Sequence, residues 1–426
     1  MLIVRGKTLI GKFWSRVNIL VSDSGFIVKI FKSDMANRYY YSKVDAIYNA
    51  EDRIILPGLI DGHVHFREPG QTYKENFESG SKCALASGVV VVGDMPNNVP
   101  ETKDMDTYRN KMKSIEGKSY IDFFLYVALN RPEELKKLLS SNPAPRAVKV
   151  FLSNKRHLDM ILREKDFPDD YVYVFHAEHS DFFQSGEAKN VHELNFMRPE
   201  KAEIEAVKVA IHFAERGYRT HITHVSTGDA ANLIINAKMR GLKITFDVTP
   251  HHLIFYREAI DSYSPLLKVL PPIRSKNQRD KLISILRRGD VDAIFTDHAP
   301  HAVGEKEDFL HAEYGIQSLQ YLLPLIFSLV VKTHMDFRKI IRLLSKNPAK
   351  IFSISKRGWI KVGNCADLVI FDPKRRWIID PDFCLSKSRA SPYDGMFVRG
   401  FVDAVFLRGN LVYENGYFIK KIGKHI

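Results

Sequence analysis

Tyr171–Ala177 reads YVYVFHA, five aromatic or β-branched residues in succession closed by a histidine. So continuous an apolar run suits a strand buried on both faces. Seven further segments share the character: Ile54–Asp61 (IILPGLID), Gly88–Met95 (GVVVVGDM), Tyr120–Ala128 (YIDFFLYVA), Arg146–Leu152 (RAVKVFL), Arg219–Val225 (RTHITHV), Leu242–Val248 (LKITFDV) and Val291–Asp297 (VDAIFTD). Helix-like stretches lie between them, among them KENFESGSKCALASG (74–88), PEELKKLLSS (132–141) and KAEIEAVKVAIHFAERG (201–217). Eight alternating units predict a (β/α)8 TIM-type barrel over residues 51–354 rather than an open sheet.

The ends of the chain differ from this middle. LIVRGKTLI, VNILVSD and GFIVKIF in the first fifty residues, and RGWIKVG, ADLVIFDP, WIIDP and DAVFLRGNLVYENG in the last seventy, are short β-like runs. Gly409-Asn410 and Asn415-Gly416 sit between apolar runs as hairpin turns do. Residues 1–50 and 355–426 therefore read as one discontinuous β-domain. Hydrophobic residues make up 45% of the 426 and charged residues 27%, which excludes a disordered or collagen-like chain. Cys83, Cys365 and Cys384 are too few and too scattered for a disulfide framework or a thiolate zinc site. No signal peptide or membrane-length apolar segment is recognised, so a cytoplasmic protein is expected. The net charge of +13 is spread along the chain without a nucleic-acid motif, and reads as a lysine-rich surface.

The polar residues at the strand ends form a pattern. The first run continues into Asp61-Gly-His63-Val-His65-Phe-Arg67, and histidines two apart leave an extended segment on one face, where they can share an ion. Lys149 interrupts the fourth run; His176, His224 and Asp297 stand at the ends of the fifth, sixth and eighth. In a parallel barrel these ends face one rim, where the active sites of this fold are built. Singly, each residue has a bland alternative. A lone His-x-His is more often chance than a metal site, Asp297 also reads as a helix cap, and His176 and His224 as satisfied core histidines. Lys149 is odder, since a buried unpaired ammonium must pair, snorkel or lose its charge. Jointly the pattern points to a metal site. Four histidines and one aspartate shared by two divalent ions need an anionic bridge. Lys149, carboxylated by carbon dioxide, becomes a carbamate with two oxygens able to supply it. Nitrogen and oxygen ligands without thiolate suit zinc, with manganese or cobalt as substitutes. A hydroxide held between two such ions is a strong nucleophile at neutral pH.

PGLIDGHVHFREPG, GDMPNNVP, VKVFLSN, HAE, HITHVST, DVTPHHL, FTDHAPH and SPYDGM resemble dihydroorotases of the amidohydrolase superfamily, in its hydantoinase-related, lysine-bearing group, from about residue 50 onward. The resemblance implies a (β/α)8 barrel with a small β-sandwich made from both termini. It implies reversible ring closure of N-carbamoyl-L-aspartate to L-dihydroorotate in de novo pyrimidine (UMP) biosynthesis. By the same resemblance His63 and His65 ligate one of two Zn2+ ions, His176 and His224 the other, and Lys149 is the carboxylated bridge. Asp297 is both ligand and proton shuttle. Arg67, Asn97 and His301 match residues that hold the substrate carboxylate, and Ala299 and Gly315 match backbone contacts to it. His221, His251 and His252 are then structural, and His298 points away from Asp297. The resemblance leaves room for a homodimer and for association with aspartate transcarbamoylase, and implies neither nucleic acid nor a membrane as partner.

Two rival readings follow from it. Hydantoinases and allantoinases share the ligand set and hydrolyse related cyclic amides. Arg67 discriminates, because dihydroorotate carries a ring carboxylate that a guanidinium can grip and hydantoin carries none. A dihydroorotase-like scaffold bound to the transcarbamoylase is the other, although a scaffold would be expected to lose ligands. Three departures touch the substrate side: Leu270 stands where the family often has Asn or Arg, with Lys268 or Arg274 as nearby substitutes. Gly315-Ile-Gln-Ser318-Leu-Gln320 lacks a glycine and a carboxylate of the family pattern, and Asn98 replaces a threonine.

Overall fold

In a computed structural model the chain is described at residues 1–32 and 38–426. Eight parallel strands form the barrel in chain order: Leu59–Val64, Val89–Asp94, Asp122–Ala128, Ala147–Phe151, Val172–His176, Thr220–Ile222, Ile244–Val248 and Ala293–Ile294. Six of them are buried at every position, as strands covered by helices outside and side chains inside must be. The three helical stretches form as Phe77–Ala86, Pro132–Leu139 and Glu200–Glu215. Inside the barrel the Phe352 ring packs on Phe124 and Phe295, with centroids 4.8 and 5.9 Å apart. A Cβ on Gly62 would lie 2.4 Å from the Phe352 ring, so glycine is what lets this aromatic floor close directly beneath His63.

The run Ile54–Asp61, read as one strand, is two. Ala46–Pro57 belongs to the terminal sheet and the barrel begins at Leu59. Pro57 has no N–H to extend a ladder, and the chain changes sheets at Gly58. The terminal segments join in one eight-stranded sheet, in the order Tyr417–Phe418, Asn410–Glu414, Phe397–Leu407, Leu368–Ile378, Ala46–Pro57, Leu2–Ile10, Phe13–Val21 and Ile27–Phe31. Its N- and C-terminal halves meet where Ile54 lies opposite Phe371 in an antiparallel ladder. Both expected hairpins form. The first turns on Arg408-Gly409, one residue early, and the second on Asn415-Gly416, each pair with the positive φ that such turns require. RGWIKVG is not a strand. Arg357 is instead drawn between the buried carboxylates of Asp122, on the third barrel strand, and Asp367, ahead of the sheet strand Leu368–Ile378. Among the described residues no helix is long and apolar enough to cross a membrane.

The joint between the first and eighth barrel strands has little ladder. A single bridge pairs Val64 with His298, and the His65 N–H donates to the His298 carbonyl at 2.8 Å. The buried Asp61 carboxylate completes it, accepting the His63 N–H at 3.1 Å, the Thr296 N–H at 3.2 Å and the Thr296 hydroxyl at 2.5 Å. Asp61→Ala strands those donors in a dry interior, so thermal or denaturant unfolding should show a loss of about 2–5 kcal/mol. A loss below about 0.5 kcal/mol would mean the seam is carried elsewhere.

Candidate metal centre and substrate rim

The sequence places His63 and His65 on the same side of an extended segment, and the structure brings both Nε2 atoms to 3.2 Å from Oδ1 of Asp297. The three ligand atoms lie within 4.8 Å of one another. Each imidazole is oriented from behind: His63 Nδ1 lies 2.6 Å from the Thr223 hydroxyl, and His65 Nδ1 lies 2.8 Å from Oδ1 of Asn97. An amide oxygen only accepts, so His65 carries its proton on Nδ1 and presents a lone pair at Nε2. Across the rim, His176 Nδ1 is 3.1 Å from His224 Nε2, close enough for both nitrogens to face one ion. His176 Nε2 is held at 2.8 Å by Glu178, the carboxylate–histidine arrangement found behind metal ligands. The two groups adjoin, with the His63 and His224 rings 5.4 Å apart.

Lys149 belongs to both groups. Its ammonium is buried, has no hydrogen-bond partner, and acts electrostatically on His63, His65, His224 and Asp297. Burial pulls the Lys149 pKa down against the attraction of Asp297 and Asp247, and pushes Asp297 up against the attraction of Lys149. Burial first, then neighbouring charge, holds His63, His65 and His224 far below the ordinary imidazole value, so they are neutral and able to ligate. An orphaned buried amine among neutral nitrogens and one carboxylate fits a pair of divalent cations with a bridging group on the lysine. It does not fit a finished hydrogen-bond network.

The expected substrate residues gather beside this centre. Arg67 is 7% exposed; its Nε donates to the Pro300 carbonyl at 3.1 Å and its Nη2 lies 2.9 Å from His301 Nε2. Asp297 and Arg67 each shift the other's ionisation, which puts the guanidinium within the field of the centre. Asn97 joins the groups, because its oxygen holds His65 while its NH2 group remains a donor. The N–H groups of Ala299 and Gly315 are engaged by the carbonyls of Ile316 and Lys268, both at 3.0 Å. At Gly315, with φ of 151°, a Cβ would lie 2.3 Å from the Ala299 oxygen and 3.1 Å from His301 Nε2, so a side chain there would invade the rim. Arg67, His224 and Asp297 all hold positive φ, at 60°, 43° and 49°, a conformation costing about 1–3 kcal/mol each and characteristic of functional positions.

Both candidate substitutes for Leu270 are buried and partly engaged elsewhere, although Nη2 of Arg274 has no hydrogen-bond partner among the described residues. Arg274 is buried against Ser226 and the Arg198 carbonyl, and Lys268 donates to the Leu310 carbonyl at 2.8 Å. Gln320 exchanges hydrogen bonds with the backbone of Phe383 and Leu385, which an acid could not do on both sides. Asn98 bonds the Glu68 carbonyl and Lys111 inside the protein. His221 is structural, held by Thr245 and Asp247. His252 is held by Thr249 and the Pro271 carbonyl, and His298 faces Ser318 and Glu75 rather than Asp297. Cys83 is a core residue whose thiol burial pushes up. Sequence reasoning missed Glu178, Thr223 and Lys74. Glu178 stands two residues after His176, the same alternation that singles out His63 and His65; the other two carry no comparable local signal.

A model described as the amidohydrolase family matches residues 54–412. Curated relatives include a dihydroorotase of Carboxydothermus hydrogenoformans, 34% identical over 94% of each chain. Another is a dihydroorotase of Ehrlichia canis, 33% identical over 90% of this chain and 88% of that one. Among solved structures, an L-hydantoinase (dihydropyrimidinase) from Arthrobacter aurescens matches with a TM-score of 0.90 at 25% identity, covering 100% of this chain and 99% of the other. The chain belongs to the amidohydrolase family, and within that family to the dihydroorotases.

Glu178 tests the orientation of the centre. Glu178→Gln keeps the shape but loses the anionic acceptor behind His176, and zinc affinity measured by competition with a chelating dye should fall about 10–100-fold. Unchanged affinity would leave Glu178 as the ion-pair partner of the Arg198 guanidinium, 3.7 Å away, alone.

Proposed function

We infer that this protein catalyses the reversible cyclisation of N-carbamoyl-L-aspartate to L-dihydroorotate. The observation that carries the reading is Arg67: a buried guanidinium against His301, on the rim of a histidine–lysine–aspartate centre whose His65 is held by Asn97. Both ligands of the reaction carry a carboxylate that takes no part in the chemistry, and a guanidinium edge with adjoining neutral donors is built to read one. His63, His65 and Asp297 would hold one divalent cation, and His176 and His224 a second. Lys149 would bridge them as its carbamate, and the nitrogen and oxygen donors suit zinc. When bound, the two ions supply a water-derived nucleophile at neutral pH and polarise the amide carbonyl. The burial that lowers the Lys149 pKa enlarges the share of free amine, the form that adds carbon dioxide with loss of one proton.

Asp297 moves the proton. In hydrolysis it takes the proton released as the ring amide carbonyl is attacked, and delivers it to the departing ring nitrogen. In synthesis it removes the proton from the ureido nitrogen as the ring closes. A carboxylate at this position, beside both His63 and His65, can accept a proton and return it. Meanwhile Arg67, Asn97 and His301 fix the spectator carboxylate, so that the reacting groups meet in one orientation.

The backbone likeness to an L-hydantoinase favours, as a second reading, a cyclic amidase acting on an uncharged ring. Assays of the pure protein on dihydroorotate, hydantoin and allantoin separate the two. Turnover of dihydroorotate alone is expected, and no turnover of any substrate with metals bound would favour a scaffold. Arg67→Met sharpens the test. It should lower kcat/KM for carbamoyl aspartate by about 2–5 kcal/mol in transition-state terms while sparing slow hydrolysis of an uncharged cyclic imide. Equal losses on both substrates would make Arg67 a support of the metal centre instead. Lys149→Ala should bring metal content, measured by elemental analysis, below two ions per chain and abolish activity, with short carboxylic acids partly restoring both. Two retained ions and a full rate would remove Lys149 from the bridge.

A further inference from the structure

Lys74 is buried, lies on the chain that follows Arg67, and has no part in the chemistry above. Its Nζ pairs with Oε1 of Glu305 at 2.9 Å and lies 3.2 Å from Nδ1 of His301. The other nitrogen of that ring, Nε2, is 3.0 Å from the Tyr314 carbonyl and 2.9 Å from Nη2 of Arg67. Three groups thus crowd one imidazole, and their hydrogen-bonding capacities conflict. Burial, and then the charges of Arg67, Lys74 and Lys306, pull the His301 pKa down to about 3, so the ring is neutral and carries a single N–H.

With that hydrogen on Nε2, Nδ1 accepts from the Lys74 ammonium and Nε2–H donates to the Tyr314 carbonyl, satisfying two of the three neighbours. With the hydrogen on Nδ1, the N–H opposes an ammonium at 3.2 Å and the Tyr314 carbonyl loses its donor; Arg67 alone gains. Glu305 does not rescue that second arrangement, because its nearer oxygen is 3.6 Å from Nδ1, beyond hydrogen-bond reach. The first arrangement has a consequence for Arg67. Its Nη2 edge then meets no acceptor on the ring, and remains a donor for whatever anion enters.

We propose that Lys74 is a positioning residue that fixes His301 in its Nε2–H tautomer and so keeps the Arg67 guanidinium edge available for the substrate carboxylate. The inference rests on the reading of Arg67 and His301 as carboxylate-binding residues. Lys74 itself touches neither substrate nor metal ligands. Without its ammonium, His301 can turn its lone pair to Arg67, and the two would satisfy each other instead of the substrate.

Two measurements on the full chain test it. In protein labelled with 15N at histidine, long-range 1H–15N spectra report which ring nitrogen carries the hydrogen, and His301→Gln assigns the signal by its disappearance. His301 is expected as the Nε2–H form between pH 6 and 9; Lys74→Met should shift it toward the Nδ1–H form, and Lys74→Arg should restore it. In steady-state assays with carbamoyl aspartate, Lys74→Met should raise KM about tenfold with kcat changed less than about threefold, and Lys74→Arg should recover most of the loss. An Nδ1–H ring in the unsubstituted protein, or a tautomer indifferent to Lys74→Met in a variant whose thermal midpoint is retained, overturns the proposal. The spectra need no substrate. A correct tautomer shift in a protein that does not turn over dihydroorotate would therefore count against the proposed reaction and leave the role of Lys74 standing.

Discussion

The buried carboxylate of Asp61 is the constraint on which the site depends. A barrel of eight strands must close on itself, and here the closing strand, Ala293–Ile294, is too short to form a ladder with the first. Asp61 substitutes side-chain acceptance for backbone pairing, gathering the N–H of His63 and both donors of Thr296. His63 makes one of those contacts itself, and Asp297 directly follows Thr296, which makes the other two. The same three hydrogen bonds that seal the barrel therefore set the distance between a histidine nitrogen on one strand and a carboxylate on the other. Stability and ligand geometry are here one interaction.

Above that seam the centre consists of groups whose ordinary charges have been suppressed. His63, His65 and His224 are neutral, the lysine is shifted toward free amine and the aspartate toward its acid, chiefly because burial disfavours the charged form of each. A centre of this kind is unfinished as a protein interior, and its His63, His65 and Asp297 form a group able to hold a metal ion. The bordering rim holds three buried basic side chains, Arg67, Lys74 and Lys306, tied down by Glu305 and by backbone carbonyls, and burial lowers the Lys306 pKa to about 7. The net charge of +13 had a bland reading as surface, and most lysines fit it. A few do not, and these are enclosed where a dianionic substrate would approach. Charge totals cannot distinguish the two populations, because they differ in burial and not in residue type.

The repeating apolar runs determined the barrel, since only strands covered on both faces tolerate such continuity. The two-residue spacing of His63 and His65 determined that they share a face, and the endings of the runs determined that His176, His224 and Asp297 share a rim with them. Lys149 was legible for a cruder reason: a lysine inside an apolar strand must answer for its charge. Turn pairs such as Asn415-Gly416 were legible because positive φ restricts the residues that can adopt it. RGWIKVG has the alternation of a strand but is not one, because Arg357 is committed to carboxylates 235 and 10 residues away in the chain.

What lay beyond the sequence were relations between distant residues that have no period. Thr223 behind His63, Asn97 behind His65, Lys74 behind His301 and the enclosure of Arg274 each join segments that meet only after the barrel closes. Local sequence records which way a side chain leaves its own strand, a consequence of backbone geometry repeated every two or 3.6 residues. It does not record what that side chain meets. The residue types for ligating metals were therefore determined by the sequence itself, while the tautomers, the orphaned amine and the freedom of the guanidinium were decided by tertiary packing. Those properties depend on which donors and acceptors are brought within about 3 Å of one another and shut away from water.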